Sequence, residues 1–285
     1  MKKNKKKISP GIVALYVILV IVVLYYLIPL LVMVSTSFKE ESEALKKTWE
    51  WIPKPFTFEN YVFIIDRYPF LRWTINSIIV TVGTVALTCF TALPAGYAFA
   101  RLNFRGKNLL FTMCLLTIMI PFYAYMPQLY LLFYRLKMLN TYIGLMIPLS
   151  VNAFAIFLFR QFIVAEIPRD IEDAAKIDGC SYWGILFRIV LPLIRPAMTT
   201  AVLFTAFKSW NYLMWPLVAT SGDKVKTLPV GLAVNVFGVT TGIMHQPPYT
   251  IVMAGALLSI IIPVVLFIFL QRFFVRGIVT SGLKQ

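Results

Sequence analysis

The sequence predicts an all-α membrane protein whose chain crosses the bilayer six times. Of its 285 residues, 59% are hydrophobic and only 14% are charged, and the mean hydropathy is +0.79. Six apolar segments approach or exceed the length of about 20 residues that a helix needs to cross a bilayer. Each is expected to be helical, because backbone groups in lipid must hydrogen-bond within their own segment. The predicted spans are 12–34, 74–100, 108–126, 142–163, 197–218 and 251–274.

The first span follows a basic N-terminus. Five lysines precede residues 12–34, as they would in a secretory signal peptide. This apolar segment is 23 residues long, whereas the apolar core of a signal peptide usually has about 7–15 residues. We therefore predict an uncleaved membrane anchor, although Ser35, Thr36 and Ser37 could mimic a cleavage site.

The third span is interrupted by Pro121 and Pro127. Proline inside a helix removes a backbone hydrogen bond and clashes with the preceding turn. Residues 128–137 are therefore predicted to form an amphipathic helix at the membrane interface rather than part of the span.

Positive charges predict the orientation. With the N-terminus in the cytoplasm, the inner segments carry 16 Lys and Arg and the outer segments carry 10. Cytoplasmic loops of membrane proteins carry this excess, so both termini are predicted to be cytoplasmic. The expected organisation is a cytoplasmic segment at 1–11, a single transmembrane domain at 12–274 and a cytoplasmic tail at 275–285. Within the domain, residues 35–72 are expected to form a folded external cap, which could also receive an external partner.

A charged segment separates the fourth and fifth spans. Seven charged residues fall between Glu166 and Asp178, and each would cost roughly 2.5–3.5 kcal/mol at the centre of a membrane helix. Residues 166–196 are therefore predicted to lie in water on the cytoplasmic side. We call them the cytoplasmic loop.

The first half of the cytoplasmic loop suits a short helix. Pro168 fixes φ at its start, and Asp170 is an available N-cap. Ala174 and Ala175 are strong helix formers. Gly179 is expected to end the helix in a left-handed conformation.

The second half suits another helix, which Ser181 is predicted to cap. Trp183, Phe187 and Val190 recur at intervals of four and three residues and would form one apolar face. Pro192 is expected to end this helix before the fifth span. Small residues at the corner would allow another protein to approach closely. The residues that offer charge partners are Glu172, Asp173 and Asp178.

The spacing in this loop resembles that of a known family. Residues 173–175 read Asp-Ala-Ala, Gly179 follows after three residues, and 189–192 read Ile-Val-Leu-Pro after nine more. This order resembles the cytoplasmic loop of permease subunits of ATP-binding-cassette (ABC) importers. Asp173 stands where that family usually has Glu, which keeps the charge and shortens its reach. The resemblance implies that these residues couple the chain to an ATPase: Glu172, Asp173, Ala174, Ala175, Asp178, Gly179, Leu191 and Pro192.

The resemblance covers nearly the whole chain. Segments 95–101, 210–216, 227–232 and 271–277 are similar to the carbohydrate branch of binding-protein-dependent importers, in particular to the maltose-type inner-membrane subunit. It implies the type I ABC importer transmembrane fold and a prokaryotic inner or plasma membrane. The implied partners are a second, different permease chain, an ABC ATPase dimer that binds ATP and Mg²⁺, and an extracytoplasmic solute-binding protein. The implied activity is ATP-driven import of an oligosaccharide or related polyol by alternating access. Import of a non-sugar solute, and secondary transport that is independent of ATP, stay open as alternatives.

The chain itself shows no sign of a nucleotide site or an enzyme. No G-x-x-x-x-G-K-[ST] phosphate loop occurs, so we expect no cofactor here and assign ATP hydrolysis to a partner. The predicted spans contain no Asp, Glu or His, which argues against a proton-coupled carrier and an embedded catalytic or metal site. Sodium coupling through backbone carbonyls stays open. The net charge of +15 lies mostly beside the spans, which favours lipid over nucleic acid.

Lys208 is the cation predicted nearest the middle of a span, eleven residues after Ala197. An ionisable residue at that depth is a functional-site hypothesis. Its neighbours Trp210, Asn211 and Tyr212 offer flat faces and hydrogen-bonding groups for a sugar. Alternatively, Lys208 faces a polar seam between subunits or snorkels, and Asn211 holds a helix contact. Further candidates for the substrate path are Tyr123, Tyr125 and Asn152.

Overall fold

The computed structural model describes residues 10–46, 50–238 and 248–282, with side chains as far as residue 269. The lysines at positions 2–7 and Lys284, which contribute to the predicted orientation, lie outside the described residues. Regular secondary structure is helical throughout the described part of the chain, which contains no β-strand. Contacts divide the chain into two compact units, residues 1–68 with 232–260 and residues 69–231 with 261–285.

The α-helices are α1 (Pro10–Ser37), α2 (Glu41–Ala44), α3 (Glu59–Arg67), α4 (Phe70–Arg101), α5 (Lys107–Leu116), α6 (Phe122–Arg135), α7 (Tyr142–Ser150), α8 (Ala153–Glu166), α9 (Arg169–Ile177), α10 (Tyr182–Ile185), α11 (Leu191–Leu193), α12 (Arg195–Trp210), α13 (Met214–Ala219), α14 (Leu228–Gly231) and α15 (Tyr249–Gly282). A 3₁₀ turn occupies Thr117–Met119, and π-helical turns occupy Leu186–Val190 and Leu232–Val236.

The first unit contains α1, a helix of 28 residues that is exposed over most of its length. At 1.5 Å per residue it is about 42 Å long, which is enough to cross a bilayer. Its last residues, Ser35, Thr36 and Ser37, are buried. Asn60 donates to the Ser37 carbonyl at 3.0 Å, and the Tyr61 hydroxyl donates to Ser37 Oγ at 2.6 Å. These bonds hold α3 against the end of α1.

Glu41 caps the start of α15 within the same unit. Its carboxylate accepts hydrogen bonds of 3.0 Å from the backbone amides of Tyr249 and Thr250, and another of 3.0 Å from the Thr250 hydroxyl. The first amides of a helix have no partner inside the helix, and a negative charge is favoured there. A residue more than 200 positions earlier in the chain thereby fixes the first turn of α15.

The second unit is built around α4, which packs along α7, α8 and α12. Gly96 allows α8 to approach α4 closely. A Cβ atom at Gly96 would lie 2.8 Å from the Phe159 Cβ and 3.1 Å from the Ile156 carbonyl oxygen. The core at this crossing includes Leu93, Tyr97, Phe159 and Ile163, all of them buried.

Three helices in the described part of the chain are long and apolar enough to cross a membrane: Pro10–Ser37, Phe70–Arg101 and Tyr249–Phe269. Three further pairs of helices satisfy the same test together but are bent at a short break, by 101° between α5 and α6, 48° between α7 and α8, and 83° between Tyr182–Leu193 and Arg195–Trp210. The described residues therefore provide three to six spans. The predicted all-α membrane fold is confirmed.

Two predicted helix boundaries are wrong. The helix expected to begin at residue 128 begins at Phe122 and continues through Pro127, so Pro121 alone marks the break. The fifth span, predicted as 197–218, ends at Trp210 and is followed by the separate helix α13. The Phe207 carbonyl accepts hydrogen bonds from both the backbone amide and the side-chain amide of Asn211, at 3.1 and 3.0 Å, and these close the last turn of α12.

Candidate functional site

Residues 166–196 fold as the predicted helix–turn–helix. Pro168 is the N-cap residue of α9, and Gly179 follows the helix with φ of +80°. The Cys180 amide donates to the Ala175 carbonyl at 2.9 Å, and the Gly179 amide donates to the Lys176 carbonyl at 3.0 Å. This pair of bonds is a Schellman motif, in which a left-handed glycine closes the helix. The predicted role of Gly179 in ending the helix is confirmed.

The two predicted caps have different outcomes. Ser181 caps α10, because its Oγ accepts a hydrogen bond of 3.2 Å from the Gly184 amide. The prediction for Asp170 is wrong, since the helix begins at Arg169 and Asp170 lies within the first turn. Its negative charge still lies near the helix N-terminus, where it is favourable.

The predicted apolar face of the second helix is also wrong. Val190 is fully buried, as are Ile185 and Leu186, but Trp183 and Phe187 are 60% and 48% exposed. Trp183 and Phe187 still share a face, but the interval of three from Phe187 to Val190 lies in the π-helical turn at 186–190, which holds more residues than an α-turn, so Val190 lies on another face. The two exposed rings stack on each other, with centroids 5.9 Å apart.

Glu172, predicted as a charge partner for another protein, points into the chain instead. It is buried, and its Oε1 lies 2.5 Å from Arg101 Nε in an ion pair. Its Oε2 accepts a hydrogen bond of 3.1 Å from the Tyr97 hydroxyl. Both partners lie in the last turns of α4, so this carboxylate joins α9 to α4. A buried carboxylate needs such partners, because an isolated buried charge is very costly.

Arg101 also holds the end of α8. Its Nη2 donates to the Ile163 carbonyl at 3.0 Å and to the Ile167 carbonyl. The last carbonyls of a helix lack helical partners, and a cation there is favoured by the helix dipole. One guanidinium therefore contacts α8, the residue after it, and α9.

The outer face of α9 carries the other predicted charges. Lys176 Nζ lies 2.8 Å from Asp173 Oδ1 in an exposed ion pair. The hydrogen bond from Lys176 lowers the pKa of the Asp173 carboxyl below its ordinary value, and the same bond raises the pKa of Lys176. A polar cleft of about 60 Å³ lies beside this pair. Its lining residues are Arg101, Arg169, Glu172, Asp173 and Lys176.

The remaining predicted coupling residues divide between surface and core. Ala174, Asp178 and Pro192 are exposed. Ala175 is buried in the same core as Phe159 and Ile163, and Leu191 packs against that core. The small residues exposed on α9 and at its end are therefore Ala174 and Gly179, whereas Ala175 attaches the helix to the domain.

The candidate path residues do not form one group. Lys208 and Asn211 are exposed near the end of α12, whereas Trp210 between them is buried and 5% exposed. Trp210 lines an apolar cavity of about 120 Å³ with residues that include Ile78 and Pro263. Although Lys208, Trp210 and Asn211 are close in sequence, the side chain of Trp210 therefore lies on a different face from the other two.

The other path candidates have structural contacts. Tyr212 packs edge-to-face on Phe122, with ring centroids 5.4 Å apart. Asn152 caps α8 by accepting a hydrogen bond from the Ala155 amide at 3.2 Å, and it donates to Thr205 Oγ1 at 3.3 Å.

Tyr123 and Tyr125 are 61% and 42% exposed at the start of α6. They remain available for contact with another molecule.

Sequence reasoning missed Tyr97 and Arg101. Arg101 was counted only as a positive charge beside the second span, and a charged residue at a helix end is usually solvated. The sequence feature that could have revealed them is Glu172. It lies three residues before Ala175 and therefore on the same face of the helix, so it would need a partner from another element. In the part of the chain that the structure describes, no group of three or more His, Cys, Asp or Glu could hold a metal ion.

Comparison with known proteins shows the family of the chain. The family "Binding-protein-dependent transport system inner membrane component" matches residues 92–280. The arabinooligosaccharides transport system permease protein AraQ of Halalkalibacterium halodurans is 34% identical over 259 residues, which cover 90% of each chain. AraQ of Bacillus subtilis is 30% identical over 289 residues, which cover 100% of each chain.

A solved structure shares the fold. A chain of a bacterial ABC transporter involved in the import of the acidic polysaccharide alginate superposes with a TM-score of 0.83 and 24% identity, over 95% of this chain and 100% of that chain. The family match covers more than half of the present sequence, and the relatives align over nearly all of it. The chain belongs to the family of inner-membrane components of binding-protein-dependent transport systems.

Proposed function

We propose that this chain is a permease subunit of an ATP-driven importer for an oligosaccharide, and that α9 is the element on which a separate ATPase acts. The observation that carries this proposal is the form of α9. It is an exposed, charged helix closed by Gly179 and attached by Glu172 and Ala175 to the helices that form the membrane domain. A partner that moved α9 would therefore act directly on α4 and α8.

The proposed assembly contains four kinds of protein. This chain and a different permease chain would form the path, an ATPase dimer with ATP and Mg²⁺ would bind the cytoplasmic loops, and an external solute-binding protein would deliver the solute. Residues 12–274 act as one transmembrane domain, with both termini in the cytoplasm. The exposed aromatic residues Trp183 and Phe187 extend the ATPase-binding surface beyond α9.

The proposed solute is an oligosaccharide, in line with the arabinooligosaccharide permeases among the relatives. Uptake would be measured in cells with and without this chain, using labelled arabinotriose, maltotriose, lactose and glycerol 3-phosphate. We expect uptake of at least one oligosaccharide that needs the chain, the binding protein and an active ATPase. Uptake that continued with a catalytically inactive ATPase would exclude the proposal. Uptake of glycerol 3-phosphate alone would exclude an oligosaccharide as the solute.

Orientation has its own test. Asp178→Cys and Gly222→Cys would be made separately in a chain whose three native cysteines are replaced by serine. Both positions are exposed, so reactivity with an impermeant thiol reagent reports the side of the membrane. We expect Asp178→Cys to react only in inverted vesicles and Gly222→Cys only in intact cells. The opposite pattern would contradict ATPase binding at α9.

Lys208 is proposed to face the substrate path. The variant Lys208→Ala distinguishes this role from a contact in a polar seam between subunits. If the ammonium group contacts solute, Lys208→Ala lowers uptake or changes solute preference while the assembled complex is still recovered. Lys224→Ala, at another exposed lysine, is the matched control. Unchanged uptake and preference in Lys208→Ala would exclude a contact with solute.

A further inference from the structure

We propose that Arg101 and Glu172 are positioning residues that transmit the movement of α9 to α4 and α8 during transport. This inference rests on the proposed function, because it concerns the route by which the same helix acts. It assigns a role to two residues that do not form the outer ATPase-binding surface. Together with Tyr97 they form a group that we call the α9 joint.

The first step of the argument is connectivity. Glu172 Oε1 lies 2.5 Å from Arg101 Nε, and Glu172 Oε2 accepts a hydrogen bond from the Tyr97 hydroxyl at 3.1 Å. Arg101 Nη2 bonds the Ile163 and Ile167 carbonyls. The joint thus links three helices through two side chains with fixed geometry, since a guanidinium presents its donors in a rigid plane.

The second step is burial. The side chains of Arg101 and Glu172 are only 9% and 3% exposed. A pair that is shielded from water is screened much less than a surface pair, and separating it would leave each buried charge without its ionic partner. The joint therefore resists separation, so that α9 moves together with the end of α4 rather than sliding over it.

The third step is a contrast on the same helix. The Asp173–Lys176 pair begins at the residue next to Glu172, but its side chains are 60% and 47% exposed, so a partner can rearrange it at low cost. α9 thus presents one exchangeable ion pair outwards and one fixed ion pair inwards. The outward pair suits recognition, and the inward pair suits transmission of movement.

The test uses the complete transport complex with its binding protein. Glu172→Gln removes the charge with little change of shape. Arg101→Met with Glu172→Met replaces both charges by apolar side chains, a change that is often neutral or stabilising for a buried pair. Arg105→Gln removes one charge from an exposed position in the loop after α4, outside both α9 and the joint, and it serves as the matched control.

The measurements are the yield of assembled complex, the basal ATPase rate, the ATPase rate stimulated by loaded binding protein, and uptake per assembled complex. The solute is the best-transported member of the panel above. We expect Glu172→Gln and the double variant to assemble and to keep basal ATPase activity. We also expect them to lose about fivefold or more in both stimulated ATPase rate and uptake, in the usual range of coupling between sites. Arg105→Gln should behave as the wild type.

A positioning role and a purely structural role give different results. If stimulation and uptake per complex are unchanged in both variants, or if only the yield of complex falls, the joint serves folding alone and the inference is overturned. Failure of the wild-type complex to import any member of the panel would instead exclude the proposed function.

Discussion

Gly179 offers the sharpest test of the proposed ATPase-binding surface, because its two possible roles can be separated. It has φ of +80°, and a Cβ built on it meets no atom within 4 Å. The chain itself therefore leaves room for a side chain, and substitution costs only the strain of a left-handed L-residue, roughly 1–2 kcal/mol. Asparagine adopts this conformation more readily than alanine.

Three variants separate turn formation from contact with a partner. We expect Gly179→Ala to lower thermal stability by roughly 1 kcal/mol, since part of the strain is offset by a less flexible unfolded chain. Gly179→Asn should melt close to the wild type. Both variants, and Gly179→Leu more strongly, should lose co-purifying ATPase, because each adds a side chain where the partner approaches closely.

The assay is thermal unfolding of the purified chain in detergent, together with the ratio of ATPase to permease after affinity purification. Gly222→Asn is the matched control, since Gly222 also has positive φ, +69°, and free space around it. If Gly179→Asn retained ATPase at the wild-type ratio, close approach at this corner would be excluded, and Gly179 would serve only the turn.

Three further predictions concern the same unit. Ser181→Ala removes the N-cap of α10 and should destabilise the chain by about 0.5–2 kcal/mol, and a thermal shift within error would contradict the cap. Gly96→Ala forces a Cβ to 2.8 Å from Phe159, and such overpacking costs about 1–3 kcal/mol. Thermal unfolding beside Gly11→Ala, where nothing lies within 4 Å, checks this, and equal melting of the two variants would refute the close packing. Lys176→Met should raise the pKa of Asp173 towards its ordinary value. Because the Asp173 pKa is lowered in the folded chain, the ion pair stabilises the fold at pH values above the ordinary carboxyl pKa, and this stabilisation is lost as the pH falls through the lowered pKa. NMR titration of the Asp173 carboxyl in the wild type and in Lys176→Met can follow this. Identical titrations of the two proteins would exclude the hydrogen bond in solution.

The sequence was a good guide to the end of α9 and the start of α10, because both depend on local chemistry. Gly179 and Ser181 act through bonds to residues within four positions of themselves, and such short-range signals can be read directly from the order of residues. The exposed position of Asp173 follows from the cost of placing charges in lipid.

The parts that were missed depend on distant contacts or unusual backbone. Glu172 looks like its charged neighbours in sequence, and only the approach of Arg101, 71 positions earlier, makes it a buried residue. α12 ends at Trp210, although the apolar pattern of the sequence continues beyond it. Trp210 and Lys208 are close in sequence, but their different exposures follow from which neighbours α12 contacts.

The π-helical turn at Leu186–Val190 has a consequence for comparing sequences of this family. An α-helix advances about 100° per residue, so deleting one residue from this turn would rotate the Trp183 and Phe187 rings by roughly that angle relative to Ile194 in the core. Two relatives that differ by a single gap here would therefore present different side chains to a partner, even where their flanking residues are identical. An alignment that places the gap elsewhere would assign inward and outward positions to the wrong residues.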